Sequence, residues 1–449
     1  MTHISITNGL DIPISGHPSG EPRPLAAPKT VALDLSPFRG VKFRLRCREG
    51  DTVKQGQPLV EDKSTEGRFF VSPATGTVKE IRRGLKRCLL SIVIDCADKE
   101  EPLTYPTIDL PKTSREELIK RLLEGGMFSR IHARPFERLA DPHQLPRSIF
   151  VKAIESAPFI PAPTLQIANH ENDFQTGLDA LKKLTDGPVH LITRPYSPFL
   201  NFKNVEIHTA EGPHPISNLS IPIHIIDPIK KPTDVIWTLS AYDVVCLGHL
   251  LNTGHTYHDR IISIAGPGIL PDRTGYFQVK EGYPIAALIA DRIPHTPTRF
   301  ISGDPLMGTK VTENDFLGFN AFAFTAIPEN TNREFLHFFR PGSHKYTTSR
   351  AYLSGHLKKQ PYPFTTNQHG EHRAFIDPSL YDAVMPLPVP TMQLVKAIQS
   401  DDFDLAEELG LLEVAPEDFA LPTFVCPSKN EMVDIVQQGL AAHAAEVIV

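Results

Sequence analysis

The chain has 449 residues, 41% of them hydrophobic and 22% charged, a composition that excludes wholesale disorder and at this length predicts two to four domains. A formal charge of -6 gives no reason to expect a nucleic acid partner. No window offers the roughly 18 charge-free apolar residues of a spanning helix; the best, Phe316 to Ile327, is short and carries Asn320 and Thr325. The amino terminus lacks the basic and apolar regions of a signal peptide, so the protein is expected in the cytoplasm, attached to a membrane only through partners. The 42 prolines, nearly twice the usual share of about 5%, predict short elements joined by fixed turns. Cys47, Cys88, Cys96, Cys246 and Cys426 stand singly and are expected as buried reduced thiols, with neither a zinc site nor a disulfide framework.

The first organisation lies at residues 41–94. Val41 to Leu45 alternates like a strand, Glu49-Gly50-Asp51 turns, and Val53 to Leu59 leads into a second strand. Ser72-Pro73-Ala74-Thr75-Gly76-Thr77-Val78 follows, then Ile81 and Leu89 to Ile94. The order resembles the flattened β-barrel of biotinyl and lipoyl carrier domains, with Gly50, Gly56 and Gly76 where tight turns need positive φ. The basic run Arg82 to Arg87 reads as a solvated hairpin end. Residues 113–124 read as a helix with Thr113 and Glu116 as its capping box and Gly125-Gly126 as its stop.

From about 147 to 255 strands and helices alternate. Ser148–Ala153, Val189–Thr193, Val205–His208 and Ile221–Ile226 are read as strands, with helices around Phe174 to Leu184 and Ala241 to Leu251. Residues 260–330 are strand-rich around one short helix, Pro284 to Ala290, and resemble the soluble-ligand-binding β-grasp fold. A Pro- and His-rich connector leads to helices in 390–449, one started by Asp401 or Asp402 and ended by Gly410, the last capped by Ser428 with Glu431. The expected fold class is therefore α/β multidomain: barrel sandwich 1–100, helical linker 101–146, Rossmann-like α/β domain 147–258, β-grasp domain 259–330, connector 331–389 and helical domain 390–449.

The chemistry-bearing motifs are few. Lys63, after Glu61-Asp62, holds the place where a lipoyl carrier presents its modified lysine, but the interval to Pro73 is long for that hairpin, and it reads as an unmodified turn lysine. A dinucleotide or flavin site on the α/β sheet needs a glycine-rich turn, and no GxGxxG or P-loop occurs; Gly266-Pro267-Gly268 is too short. Cys426 in Phe424-Val425-Cys426-Pro427 stands alone where an iron–sulfur cluster needs four thiolates, and reads as a relic of such a segment. The 19 histidines show no metal-ligand spacing, and His249, His255 and His258 read as helix-end and surface residues, so no metal and no catalytic residue is expected. Phe128-Ser129-Arg130-Ile131-His132-Ala133-Arg134-Pro135-Phe136 mixes aromatics with guanidinium groups. Phe128, Arg130, Arg134 and Phe136 are the candidates for contact with a partner or a quinone, which needs flat apolar walls and one or two donors. The segment is expected to be exposed and to matter little to folding.

These blocks add up to a family. Ile6-Thr7-Asn8-Gly9-Leu10-Asp11-Ile12-Pro13-Ile14, Gly56-Gln57-Pro58-Leu59-Val60-Glu61-Asp62-Lys63, Arg134-Pro135-Phe136, Gly212-Pro213-His214-Pro215, Ile264-Ala265-Gly266-Pro267, Met385-Pro386-Leu387-Pro388 and Phe424-Val425-Cys426-Pro427 resemble the A-type subunits of the sodium-translocating NADH:quinone oxidoreductases, from residue 4 to about 440. The resemblance implies a peripheral component of a six-subunit translocase on the cytoplasmic face of the bacterial inner membrane, held by the membrane subunits. That complex passes electrons from NADH to ubiquinone or menaquinone and exports sodium. The resemblance also implies that FAD, FMN, riboflavin and iron–sulfur centres sit in other subunits, with no cofactor here. Near Cys426 the sequence departs from the family pattern, with Leu421-Pro422 where some relatives are expected to carry another cysteine. Two alternatives stand beside this: a purely structural platform, and the C-type subunits of the related ferredoxin:NAD electron-transfer complexes, whose cysteine-rich motifs are absent.

Overall fold

Alternating apolar residues in the first hundred positions close two small sheets on one another. The computed structural model, which describes residues 2–330, 335–336, 339–348, 350–357 and 360–447, sets Phe43–Leu45, Pro58–Asp62 and Phe69–Val71 against a four-stranded sheet of Thr30–Asp34, Leu89–Cys96, Gly76–Arg83 and Thr52–Val53. Val31, Leu59, Phe70, Val78 and Ile92 fill the space between them. Gly50 and Gly56 take φ of +90 and +82, but Gly76 does not have positive φ. It starts a strand, and glycine is needed there because a Cβ would lie 2.0 Å from the Asp95 carbonyl oxygen.

Seven strands form the central sheet in the order His3–Ser5, Glu206–Glu211, Val189–Thr193, Ser148–Ala153, Ile236–Ser240, His132–Arg134, Arg138–Leu139. The first five run parallel and the last two join antiparallel. Both faces are covered, which is why the middle strands read as continuous apolar runs. Ile149 and Val151 pack towards the Glu171–Leu184 and Ala241–Thr253 helices. Phe150 and Ile192 face the other way, into a core shared with the carboxyl-terminal helices.

Several expectations are corrected. Ile221 to Ile226 is a helix, Ser220–Ile226, not a strand; Pro222 lies in its first turn, where an N–H has no acceptor to lose. The helix at Arg115–Glu124 is capped one residue later than expected, by Ser114 with Glu117. Residues 101–146, read as a helical linker, also supply the two antiparallel strands at the sheet edge. The amino-terminal stretch leaves the barrel: His3–Ser5 pairs with Glu206–Glu211, and Arg23–Pro24 with Gly275–Lys280.

That last pairing belongs to a six-stranded mixed sheet ordered Thr309–Val311, Thr298–Ser302, Ala323–Pro328, Asp259–Ala265, Gly275–Lys280, Arg23–Pro24, with the short helix Ile285–Ile289. The carboxyl-terminal helices are Thr391–Gln399, Phe403–Glu408, Ala420–Val425 and Met432–Val447. Asp402 caps the second through the Leu405 N–H. Ser428 does not cap the last: its hydroxyl donates to Ala374 O, and Thr423 Oγ1 accepts the Met432 N–H instead.

Candidate functional site

In an open parallel sheet, ligands gather where the strand order reverses. Here that point lies between Ser148–Ala153 and Ile236–Ser240, and a small crevice opens at their carboxyl ends. Lys152, Glu155, Gln166, Ser240, Tyr242 and Phe322 line it. The turn after Ser148–Ala153 would offer its N–H groups to a phosphate in a dinucleotide-binding sheet. In this chain Glu155 takes them: its Oε1 accepts from the Ser156 and Ala157 N–H groups, each at 2.8 Å, and from the Ser217 hydroxyl at 3.0 Å. The Ala241–Thr253 helix begins in the same crevice, and the capping box of Ser240 with Asp243 puts another carboxylate at its amino end.

Lys152 Nζ lies 3.2 Å from Glu155 Oε2. Burial works against both charges, but each partner holds the other ionised, so the Lys152 pKa rises and the Glu155 pKa falls. Two further carboxyls face this pair. Burial pushes Glu417 up to about 7, against the pull of Lys152, and burial likewise raises Asp304. His214 accepts or donates to Ser156 Oγ at 3.0 Å, and burial drops its pKa to about 4.

The structure places Phe128, Arg130, Arg134 and Phe136 inside the protein, which corrects the expectation of an exposed segment. Phe128 is fully buried and meets Trp237 edge-on at 5.7 Å. Phe136 packs edge-on to His443 at 5.7 Å. Arg134 is 2% exposed; its Nη1 donates to Ser220 Oγ at 2.9 Å and its Nε lies 3.1 Å from Glu137 Oε1, while Nη2 is buried with no hydrogen-bond partner. Arginine reads as a surface residue because its charge is costly to bury. Arg134 finds an ion partner three positions away in Glu137, whereas those of Arg130 lie over a hundred positions away.

Arg130 shows this best. Its Nη2 donates to Glu281 Oε1 at 2.5 Å and its Nη1 reaches Asp243 Oδ1 at 3.4 Å, with the guanidinium 4.9 Å from the Phe319 ring. Arg260 and the Tyr242 hydroxyl donate to the same Glu281 oxygen, and His258 Nδ1 lies 2.8 Å from the other. Burial disfavours the Glu281 carboxylate, yet Arg130 and Arg260 outweigh it and hold its pKa well below the ordinary range. This cluster ties the 128–136 segment to the six-stranded sheet. None of Lys152, Glu155, Glu281 and Glu417 is among the residues that stand out in the sequence. Only Glu155 carried a signal, as a charged residue directly after the first strand of a parallel layer.

The remaining candidates are separate. Lys63 is exposed at the shoulder of the hairpin between Pro58–Asp62 and Phe69–Val71, its N–H held by Lys42 O. Cys426 is buried, 3.2 Å from the Tyr381 hydroxyl; Cys88, by contrast, is exposed and Cys96 half-buried, against the expectation of five buried thiols. The histidine trio disperses: His249 Nδ1 pairs with Asp173, His255 with Leu103 O and His258 with Glu281.

Among the described residues no helix is long and apolar enough to cross a membrane. Two family models match, an N-terminal barrel-sandwich hybrid domain of NqrA over residues 4–97 and an NqrA second alpha/beta domain over residues 113–256. The A-type subunit of a Na(+)-translocating NADH-quinone reductase from Chlamydia caviae is 36% identical over 99% of this chain and 97% of its own length. The Histophilus somni protein of the same name is 36% identical over 97% of this chain and 98% of its own length. Among solved structures, a chain of an NAD+-reducing [NiFe]-hydrogenase shows a TM-score of 0.39 and 11% identity, covering 74% of this chain and 65% of that one, a likeness too distant to say more. Identity above 30% along nearly the whole of both chains decides the matter: this chain belongs to the NqrA family, the A-type subunits of the Na(+)-translocating NADH-quinone reductases.

Proposed function

We propose that the chain is the peripheral NqrA component of a six-subunit Na+-pumping NADH:quinone oxidoreductase, docked on the membrane subunits at the cytoplasmic face and carrying no redox group of its own. On this reading the six-stranded sheet is a β-grasp module and the carboxyl-terminal helices a helical domain packed on the central sheet. The observation that supports a platform role is Glu155, whose carboxylate fills the phosphate position at the sheet's switch point. A nucleotide phosphate there would meet a fixed negative charge and find its N–H donors already taken. Purified protein is expected to be colourless and to bind NADH no better than an unrelated protein, and membranes lacking it should lose NADH-driven quinone reduction. Stoichiometric flavin or iron–sulfur absorbance, or tight NADH binding, would sink the reading.

A second reading, direct contact with quinone, is favoured by the buried unpartnered Nη2 of Arg134. A quinone carbonyl would satisfy that donor with Phe136 as a flat wall, if the contact of Phe136 with His443 opened; Phe128 and Arg130 would hold the segment from behind. Calorimetric titration with a short-chain ubiquinone tests this, since a wild-type protein that binds none excludes it.

A further inference from the structure

The Glu171–Leu184 and Ala241–Thr253 helices cross so closely that only glycine fits at the contact. A Cβ on Gly248 would lie 1.7 Å from Asp173 O, and one on Gly177 would lie 2.3 Å from Val244 O. The crossing brings the start of one helix against the last turns of the other and gathers three side chains, His170, Asp173 and His249.

Asp173 Oδ2 lies 3.3 Å from His170 Nδ1 and 2.9 Å from His249 Nδ1, and the three side chains each bring a ligand atom within 4.8 Å of the other two. Bonds of about 2.0–2.1 Å to a tetrahedral zinc ion separate its ligands by roughly 3.3 Å, so two of the three edges are already near the required length. The surroundings hold the group in place. Asn252 donates to the other carboxylate oxygen, Asp173 Oδ1, at 2.8 Å, which aims Oδ2 at the imidazoles. The Tyr257 ring packs on both, 4.7 Å from His170 and 5.2 Å from His249. An oriented carboxylate and clamped rings are what tune a metal's ligands.

The site is also open to an ion, because the three side chains keep 24%, 14% and 23% of their surface exposed. Neither Nε2 has a hydrogen-bond partner among the described residues, so each ring can move its proton there and turn the Nδ1 lone pair inward. The second histidine cluster, His190, Glu206 and His208, lacks that freedom. The Thr2 N–H donates to His208 Nδ1, which leaves the proton on Nε2, pointing at His190 Nδ1.

We propose that His170, Asp173 and His249 form a binding site for a divalent ion of the zinc class, with three protein ligands and one open position, bridging the two helices. The donor set of two imidazoles and a carboxylate suits such an ion and gives little to calcium or magnesium, which prefer oxygen.

Full-length protein, stripped with a chelator, is titrated with Co2+ as a coloured stand-in and then with Zn2+. The expected result is one Co2+ per chain, with the visible absorption of a four-coordinate site that Zn2+ abolishes. His170→Gln and His249→Gln should lose the signal, Asn252→Ala should weaken binding about 10–100-fold, and His190→Gln should bind as wild type. Circular dichroism confirms that the variants are folded; His170 and Asn252 are partly exposed, so at least these are expected to remain so. A wild-type chain that takes up no ion, or binding unchanged in His170→Gln and Asn252→Ala, overturns the proposal and leaves the group as a hydrogen-bonded tie between helices.

Discussion

Tyr242 stands between two buried charge clusters that are built on opposite balances. On one side its hydroxyl donates to Glu281, where two guanidiniums, Arg130 and Arg260, meet the carboxylates of Glu281 and Asp243. On the other it lines the crevice that holds Lys152 and Glu155, and the charge of Lys152 is also felt by Glu417 and Asp304. The first cluster is balanced, and each charge stabilises its neighbour at any ordinary pH. The second has more carboxyls than cations, and burial raises the pKa of Asp304 and pushes that of Glu417 up to about 7. Burial is common to both, so the difference lies in how many counter-charges the fold supplies. One cluster acts as a staple and the other as a titratable seam.

The largest effect should come from breaking the balance. Glu281→Gln leaves Arg130 and Arg260 buried with one carboxylate fewer, and removing one partner of a buried ion pair costs about 3–5 kcal/mol. Urea unfolding near neutral pH measures it. A loss under about 1 kcal/mol would mean that water reaches the guanidiniums and that the cluster is no staple.

The same substitution in the opposite sense is gentler. Arg134 sits close to Asp418, whose carboxyl burial pushes up and Arg134 draws down. Arg134→Met removes the cation, but Asp418 can answer by keeping its proton, so the cost should stay at about 1–3 kcal/mol. It should grow as pH rises, because an ionised Asp418 would then lack its counter-charge. A cost that matches Glu281→Gln and ignores pH would erase the distinction between the clusters. Either result departs from the sequence expectation that Arg134 matters little to folding, since the side chain is 2% exposed.

What the sequence revealed and what it hid divide along this line. Strands such as Ser148–Ala153 and Val189–Thr193 were legible to the residue because a buried parallel strand is a run of apolar side chains bounded by turns. Helix starts were legible where the cap is local, to within the pair Asp401 and Asp402 of which the second is the cap, and slipped by one residue at Ser114, where two hydroxyls compete. The Ile221 to Ile226 stretch failed because a short apolar run does not distinguish strand from helix. The charge clusters were invisible for a different reason. Arg130 meets Glu281 across 151 positions and Asp243 across 113, and although Lys152 and Glu155 are three residues apart, the Glu417 that makes their cluster titratable lies far along the chain. A buried arginine and a surface arginine look the same until the partner strand is placed.

The smallest expected effect is the most specific to the seam. A carboxyl whose pKa is raised by folding binds its proton more tightly in the folded chain. Its contribution is therefore complete below the unfolded value of 4.5 and drains away as pH climbs through about 7. For Glu417 the burial that raises it is opposed by Lys152, while Asp418, Glu137 and Glu155 add to it. Asp304 and Asp418 shift in the same direction and add to the loss as pH rises, while Glu417 alone sets the window of about pH 5 to pH 8. Glu155 works the other way, being held low, and its contribution is already in place across that window. Glu417→Gln removes one draining group without removing a charge the folded protein needs at low pH. Wild-type stability should fall from pH 5 to pH 8 by more than that of Glu417→Gln, the gap being about 1–2 kcal/mol after allowance for partial solvent screening. Urea unfolding of both proteins at four pH values reads the gap directly. If the two curves run parallel, Glu417 does not titrate in that window, and the excess carboxyls of the seam must be neutralised by something other than protons.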